Sequence, residues 1–106
     1  MTYSVSLTDD AAADLEELIE YIDAHDASAD RVLSRIEKAL FSLSEKPERG
    51  AYPRELSAIG VREYRGIFFK PYRIIYRVIG SDVLVLLIVD ARSDMQTLLE
   101  RCLLQG

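Results

Sequence analysis

The spacing of apolar residues changes along the chain and divides it into a mainly helical first half and a strand-rich second half. Residues 3–8 alternate apolar and polar side chains, which is typical of a half-buried strand. Apolar residues at helical spacing then predict a helix over about residues 9–25, capped by Thr8, and a second helix that begins near Ser28. The second helix must end near Glu45, because a proline follows two residues later. The two helical stripes are Ala12, Leu15, Leu18, Ile19 and Ile22, and Val32, Leu33, Ile36, Ala39, Leu40 and Leu43. Helices separated by so short a break pack as an antiparallel hairpin.

Three strand signals follow an irregular loop over residues 46–60, which contains two prolines and two glycines. Aromatic and β-branched residues predict strands over 61–69 and 72–79. An unbroken apolar run over 83–89 predicts a central strand that is covered on both faces. Gly80–Ser81 has the composition of a two-residue type II′ hairpin turn. Because the connections are short, the three strands form an antiparallel meander.

The last apolar residues of the chain return to helical spacing. Ser93 and Gln96 have the spacing of a capping box and predict a short C-terminal helix. The element order therefore predicts an α+β fold in a single domain over residues 1–106: an N-terminal strand, an antiparallel helix hairpin, a three-strand antiparallel meander and a short C-terminal helix. The first strand is followed by the helix hairpin, so it could join either edge of the sheet.

The composition excludes several classes of protein. The 106 residues are 49% hydrophobic and 29% charged, which is an ordinary balance for one globular domain. The single cysteine and the single histidine exclude a disulfide framework, a cysteine-based zinc site and any site that needs two imidazoles. The longest apolar run, over residues 83–89, is far too short to span a membrane, and the N-terminus lacks the pattern of a signal peptide. We therefore expect a cytoplasmic protein that uses no metal and no cofactor.

The formal net charge of −5 argues against a nucleic-acid partner, but it conceals a strong polarity along the chain. Residues 1–30 contain nine acidic residues and no Lys or Arg, whereas residues 49–77 contain seven basic and two acidic residues. The local charge therefore runs from −9 to +5. Such asymmetry often marks two surfaces with different roles, although a solvated helix face beside a solvated strand face would give the same pattern.

The common catalytic patterns are absent from the sequence. There is no Gly-rich phosphate loop and no nucleophile elbow. His25 lies in the predicted turn between the helices, where it is expected to be solvated. Asp14, Glu17 and Tyr21 are predicted on the outer face of the first helix, and no histidine or second acidic helix completes a metal site there.

The arginines of the predicted sheet are more informative. Arg73 and Arg77 are four residues apart on the middle strand, so both point to the same face. Arg65 lies on the preceding strand and reaches the same region if the hairpin register allows. An arginine within an apolar strand must be paired or face a groove. The arginines are therefore either structural ion pairs with Glu63, Asp90 or carboxylates of the first helix, or a functional cluster.

The order of the elements resembles the RelE/ParE superfamily of bacterial type II toxins, and four segments support this resemblance. Two of them form the middle and last strands, namely YRIIYRV (72–78) and VLLIVDAR (85–92). The other two, LTDDAAADL (7–15) and LSEKPERG (43–50), resemble the start of the first helix and the helix-ending segment of the ParE branch. The resemblance covers nearly the whole chain, and it depends on the ordered set, since no single motif is diagnostic.

Membership of this superfamily implies a small toxin that is neutralised by a co-expressed antitoxin and arrests growth when it is released. RelE-like members are ribosome-dependent endoribonucleases, with several basic residues and a proton-transfer residue near the end of the last strand. ParE-like members, which include plasmid stabilisation toxins, instead poison DNA gyrase and are not nucleases.

The residues favour the ParE-like branch and therefore no catalytic site. RNA cleavage needs one group that deprotonates the 2′-hydroxyl and another that protonates the leaving oxygen. After the last strand, where the nucleases offer His, Tyr or Lys, residues 90–93 are Asp-Ala-Arg-Ser, and arginine is a poor proton carrier. If the chain is instead RelE-like, the resemblance implies a site that contains Arg65, Arg73 and Arg92. A third hypothesis is an inactive toxin-fold module that only binds its antitoxin.

A ParD-like antitoxin is expected to contact both the helix hairpin and the sheet of this chain. The groove of the helix hairpin fits an amphipathic helix, an edge strand could accept an added strand, and the basic residues of the sheet would attract acidic side chains. The predicted antitoxin contacts are Leu18, Ile22, Leu33, Arg65, Arg73 and Arg77. In ParE-like pairs, the flexible C-terminal segment of the antitoxin wraps the toxin in this way. The expected target is DNA gyrase, and neither a membrane nor a sequence-specific nucleic-acid site is expected as a partner.

Overall fold

The two long helices begin and end where the apolar spacing predicts. In the computed structural model, which describes residues 2–25, 29–69 and 72–90 together with positions 97 and 100, helix α1 spans Asp9–His25 and helix α2 spans Ala29–Glu45. Thr8 caps α1, because its Oγ1 accepts a hydrogen bond of 3.1 Å from the N–H of Ala11. His25 is thus the last residue of α1 instead of a turn residue.

Some predicted features lie outside the described residues. These are Ser28, near which the second helix is predicted to begin, Arg92, and the capping box of the C-terminal helix. Of that helix only Thr97 and Glu100 are described, and both are helical.

The second half of the chain forms the predicted antiparallel meander. Strands β2 (Arg65–Phe69), β3 (Tyr72–Ile79) and β4 (Asp82–Asp90) pair in sequence order. Strand β1 (Ser4–Leu7) pairs in parallel with β4, so the order in the sheet is β1-β4-β3-β2. The position of the first strand, which the sequence leaves open, is therefore the edge beside β4. Strand β4 lies between two strands and is buried on both faces, as its unbroken apolar run predicts.

The loop before the meander differs from the prediction at two points. The first strand of the meander begins at Arg65 instead of Val61, because the N–H of Val61 bonds to the carbonyl of Leu56 and is thus held by the loop. In addition, Arg54–Ser57 forms one short helix, α3, directly after Pro53. One helical turn is too short to produce an apolar period, so the sequence pattern does not reveal it.

Each face of the sheet has its own apolar cluster. Helices α1 and α2 cover the helix face, which includes Ile74, Tyr76 and Val85. The loop with α3 covers the opposite face, called the loop face, where Leu56 packs with Ile75 and other apolar side chains. The register shifts by one residue between Ile75 and Tyr76, so β4 contains an extra residue and presents consecutive apolar residues to the loop face.

Candidate functional site

Arg73 and Arg77 both lie on the loop face, as their spacing predicts, and each has a carboxylate partner from the covering loop. Nη1 of Arg73 lies 3.2 Å from Oε2 of Glu55, and Nη2 of Arg77 lies 3.9 Å from Oε2 of Glu63. The ion pair with Glu63 was among the expected ones. Glu55 was not singled out, because its closeness to Arg73 results from the short helix α3.

The pair between Arg73 and Glu55 is half-buried, with 21% and 36% of the two side chains exposed. Burial alone would raise the pKa of the Glu55 carboxyl. A hydrogen bond to its own backbone, the hydrogen bond from Arg73 and the charges of Arg73 and Arg54 outweigh that effect and hold the pKa below its ordinary value. Glu55 is therefore ionised at neutral pH.

Arg65 does not join Arg73 and Arg77 on the loop face. It is paired with Tyr76 across β2 and β3, and directly opposed residues of an antiparallel pair share a face. The register thus directs Arg65 to the face of Tyr76. Its guanidinium and that of Arg77 nevertheless line one cavity of about 300 Å³ at the β2 side of the sheet, together with Tyr52.

Arg65 acts as a clamp on the loop that precedes β2. It donates hydrogen bonds of 2.9 Å to the carbonyl of Gly50, 3.4 Å to that of Glu48 and 3.1 Å to the hydroxyl of Tyr52. The guanidinium also stacks on the Tyr52 ring, 4.5 Å from its centroid. These acceptors are all neutral, so none of them offsets the charge of the guanidinium.

A second clamp joins the same loop to the middle of the sheet. The hydroxyl of Tyr76 donates to the carbonyl of Pro47 at 2.7 Å and accepts from the N–H of Gly50 at 2.9 Å. Burial raises the pKa of Tyr76 above its ordinary value, against the opposing hydrogen bond from Gly50 and the nearby charges of Arg65 and Arg49. Sequence reasoning missed this clamp, since it depends on a contact between positions 26 residues apart.

A recess opens between the clamped loop and strand β2. It has a volume of about 610 Å³. The residues that line the recess are Ala51, Tyr52, Pro53, Arg54, Glu55, Gly66, Ile67, Phe68 and Arg73. Two aromatic side chains remain exposed at it, Tyr52 at 42% and Phe68 at 59%. Two cations, one carboxylate and two exposed aromatic rings suit a ligand that carries negative charge and apolar or planar groups.

Two of the three apolar residues predicted to contact an antitoxin, Leu18 and Ile22, belong to the packing of the helices. Ile22 is 7% exposed and lies within the core, and Leu18 packs against that core. Leu33 is half-buried. The exposed large apolar residues of the hairpin are Tyr21 and Phe41. Phe41 was not singled out, although its position off the apolar stripe of α2 would have indicated it.

Asp14 is partly buried instead of lying on a solvated outer face. Its Oδ2 accepts a hydrogen bond of 3.4 Å from the N–H of Ile88. Strand β1 ends at Leu7, which is paired with Val85. The N–H of Ile88 lies farther along β4 than β1 reaches, and Asp14 supplies the acceptor that it needs. Glu17 and Tyr21 are exposed, as expected.

The part of the chain that the structure describes contains no group of three or more His, Cys, Asp or Glu side chains placed to hold a metal ion. Within the same residues, no helix is both long and apolar enough to cross a membrane.

Several solved structures share this fold. The chromosomal ParDE toxin–antitoxin system from P. aeruginosa contains a chain that is 23% identical, with a TM-score of 0.68 over 84% of this chain and 96% of that chain. A chain of the toxin–antitoxin complex RelBE2 from Mycobacterium tuberculosis is also 23% identical, with a TM-score of 0.64 and coverages of 85% and 99%. A variant of the E. coli toxin RelE in the free state is 19% identical, with a TM-score of 0.63 and coverages of 95% and 98%. The predicted α+β fold of the RelE/ParE type is thereby confirmed.

The family is identified by sequence. No curated protein matches the chain. The model of the family described as "ParE toxin of type II toxin-antitoxin system, parDE" matches residues 5–95. Because this match covers most of the chain, the chain belongs to the ParE toxin family of type II toxin–antitoxin systems.

Proposed function

We propose that this chain is a toxin that inhibits DNA gyrase and is neutralised by a cognate antitoxin. The observation that carries the proposal is the match of the ParE toxin family to residues 5–95. Two of the similar solved structures, ParDE from P. aeruginosa and RelBE2 from Mycobacterium tuberculosis, are described as toxin–antitoxin assemblies. They support a bound antitoxin as the resting state of this chain.

The antitoxin would meet the basic surface of the sheet. Arg73 and Arg54 line the recess, and Arg65 lines the neighbouring cavity. Acidic side chains on the antitoxin would speed its association and fix its orientation there. On the helix hairpin, we expect the exposed rings of Tyr21 and Phe41 to contribute to the contact, together with the accessible parts of Leu18 and Leu33.

The surroundings of Arg73 support gyrase over RNA as the target. A general base works best when its pKa lies near the operating pH. The carboxyl beside Arg73 is that of Glu55, whose pKa is lowered, so it is a weak proton acceptor at neutral pH.

The proposal is tested by expressing the chain in bacteria with and without the short reading frame beside its gene. Induction alone should arrest growth, with filamentation and a DNA-damage response, and co-expression of the neighbouring frame should restore growth. Growth arrest without DNA damage would contradict the gyrase target. Harmless expression of folded chain would instead support an inactive antitoxin-binding module.

A ribosome-dependent ribonuclease is the second candidate, and the recess favours it because it places Arg54 and Arg73 beside the exposed rings of Tyr52 and Phe68. In such an enzyme Arg73 would hold the phosphate and Glu55 would be the proton acceptor, although a weak one because its pKa is lowered. In that case, messenger RNA is cleaved at ribosomal A sites, and both Arg73→Ala and Glu55→Gln abolish the cleavage. Intact transcripts during growth arrest would exclude this candidate.

A further inference from the structure

The outer edge of strand β1 presents open backbone groups. The N–H groups of Ser4 and Thr8 donate to carbonyls of the adjoining segment 81–85, at 3.1 and 3.0 Å, so every second residue of β1 directs its backbone toward β4. Because backbone direction alternates along a strand, the N–H and carbonyl groups of Val5 and Leu7 point away from β4. No described residue forms a hydrogen bond with these outward groups.

The open part of this edge is short and unprotected. Before it, the N–H of Tyr3 donates to the carbonyl of Ser44 at the end of α2, at 2.8 Å, and after it α1 begins at Asp9. Between these points, Ser4–Leu7 contains no charged residue, no proline and no bulge, which are the features that commonly keep an edge strand from pairing. The edge can therefore pair with another extended chain.

The open groups of β1 match those of a second copy of the same strand. If two copies run antiparallel about a two-fold axis at Ser6, Val5 of each copy lies opposite Leu7 of the other. Each such pair exchanges two hydrogen bonds, because residues whose backbones face the partner strand form the hydrogen-bonded pairs of an antiparallel ladder. The two pairs together use the outward N–H and carbonyl groups of both residues in both copies.

The side chains match in the same register. Directly opposed residues share a face, so Val5 and Leu7 of both copies meet on the helix face, where each already packs against the apolar cluster of its own chain. The exposed side chain of Ser6 meets its counterpart on the loop face. The two four-stranded sheets would become one sheet of eight strands, with both helix hairpins on the same side.

The charges around β1 favour a second copy over an acidic segment of the antitoxin. Residues 1–30 contain nine acidic residues and no Lys or Arg, and Asp9 and Asp82 flank the strand, so an acidic peptide would meet like charges along this edge. In the two-fold arrangement, the Asp9 residues of the two copies lie on opposite sides of the axis, about 20 Å apart. This separation exceeds the Debye length of about 8 Å at physiological ionic strength.

We propose that two copies of this chain associate through their β1 edges, antiparallel about Ser6, into one continuous sheet. The inference depends neither on the target of the toxin nor on its antitoxin, so it and the proposed function can fail separately. The contact is confined to one short strand of each copy, and small interfaces are weak. We therefore expect a dissociation constant on the order of 10–100 µM.

The association is tested on the purified full chain by sedimentation equilibrium and amide hydrogen exchange. The chain should be monomeric at about 1 µM and mostly dimeric at about 1 mM. Over the same range, exchange of the N–H groups of Val5 and Leu7 should slow by about 10-fold or more. The N–H of Thr8 is the internal reference, because it is bonded to Val85 in both states. A chain that stays monomeric at the higher concentration would overturn the inference.

Substitutions at two exposed serines of β1 test the position of the axis. Ser6→Lys places two like charges directly opposite each other and should weaken association by about 5-fold or more. Ser4→Lys adds the same charge to the same face, but the two lysines are then about 13 Å apart, so association should be unchanged. Mixing Ser6→Lys with Ser6→Asp should restore association, because opposite charges then meet at the axis.

The remaining outcomes each contradict the inference. Equal weakening by Ser4→Lys and Ser6→Lys, or no recovery in the mixture of Ser6→Lys and Ser6→Asp, would overturn the two-fold register. A dimer in which the N–H groups of Val5 and Leu7 exchange as fast as in the monomer would place the contact on another surface. If the product of the adjacent reading frame protects these two groups while the chain alone stays monomeric, the edge binds an antitoxin and not a second copy.

Discussion

Tyr76 and Gly50 lie 26 residues apart in the chain and are joined by a hydrogen bond of 2.9 Å between the tyrosine hydroxyl and the glycine N–H. The same hydroxyl donates to the carbonyl of Pro47. Together with Arg65, this contact fixes the loop that carries Tyr52 and leads into the helix of Glu55. The recess beside Arg73 therefore depends on a buried tyrosine on the opposite face of the sheet.

Removing the Tyr76 hydroxyl should destabilise the fold. In Tyr76→Phe, the buried N–H of Gly50 and the carbonyl of Pro47 lose their partner, so the free energy of unfolding should fall by about 1–3 kcal/mol. Denaturant titration measures this loss. Tyr52→Phe is the matched control, because its exposed hydroxyl can be replaced by water. An equal loss in both variants would contradict the role assigned to Tyr76.

A side chain at position 50 should be as harmful as the loss of the hydroxyl. A Cβ at Gly50 would lie 2.6 Å from Oη of Tyr76 and 2.9 Å from the carbonyl oxygen of Gly66, so Gly50→Ala should cost about 1–3 kcal/mol of stability. The double variant with Tyr76→Phe should lose less than the sum of the single losses, because one of the clashing atoms is gone. Strictly additive losses would indicate that the two positions act independently.

Alkaline pH should destabilise the chain through Tyr76. Its pKa is raised in the folded state, so above the ordinary tyrosine pKa of about 10 the unfolded chain releases this proton while the folded chain retains it. Stability from this source is complete below that pH and falls as the pH rises toward the folded pKa. Unfolding titrations from pH 8 upward should therefore show a steeper loss in the wild type than in Tyr76→Phe. Parallel curves would refute the assignment.

Acid pH should remove the contribution of Glu55. Its pKa is lowered in the folded state, so its ion pair with Arg73 stabilises the fold above the ordinary carboxyl pKa and ceases to do so as the pH falls through the folded pKa. Because the pair is partly exposed, we expect an effect of at most about 1 kcal/mol. The difference in stability between the wild type and Glu55→Gln, measured from neutral to acid pH, should vanish at the acid end. A difference that is constant with pH would mean that the charge of Glu55 is unimportant.

The sequence predicts the elements of this fold better than their arrangement. Long helices and the buried strand β4 produce repeating apolar patterns, and their bounds follow from those patterns. Strand β1 has no pattern that specifies its neighbour, because packing of the helix hairpin decides at which edge it pairs. The face of Arg65 depends on the register between β2 and β3, which pairs it with Tyr76 and which the apolar pattern does not specify.

The candidate site was predictable only in part for the same reason. The spacing of Arg73 and Arg77 places them on one face whatever the register is. The partner of Arg73 is 18 residues away, on a single helical turn, and no periodicity identifies so short an element. The clamp of Tyr76 on Gly50 likewise joins a strand to a loop that has no regular pattern.

The gyrase target is the central claim, and it is tested most directly by adding the purified chain to gyrase and relaxed plasmid. We expect supercoiling to be inhibited and cleaved DNA to accumulate with its ends held by gyrase, and we expect the product of the adjacent reading frame to reverse both effects. Normal supercoiling without cleaved DNA, at a concentration of folded chain well above that of gyrase, would contradict the claim.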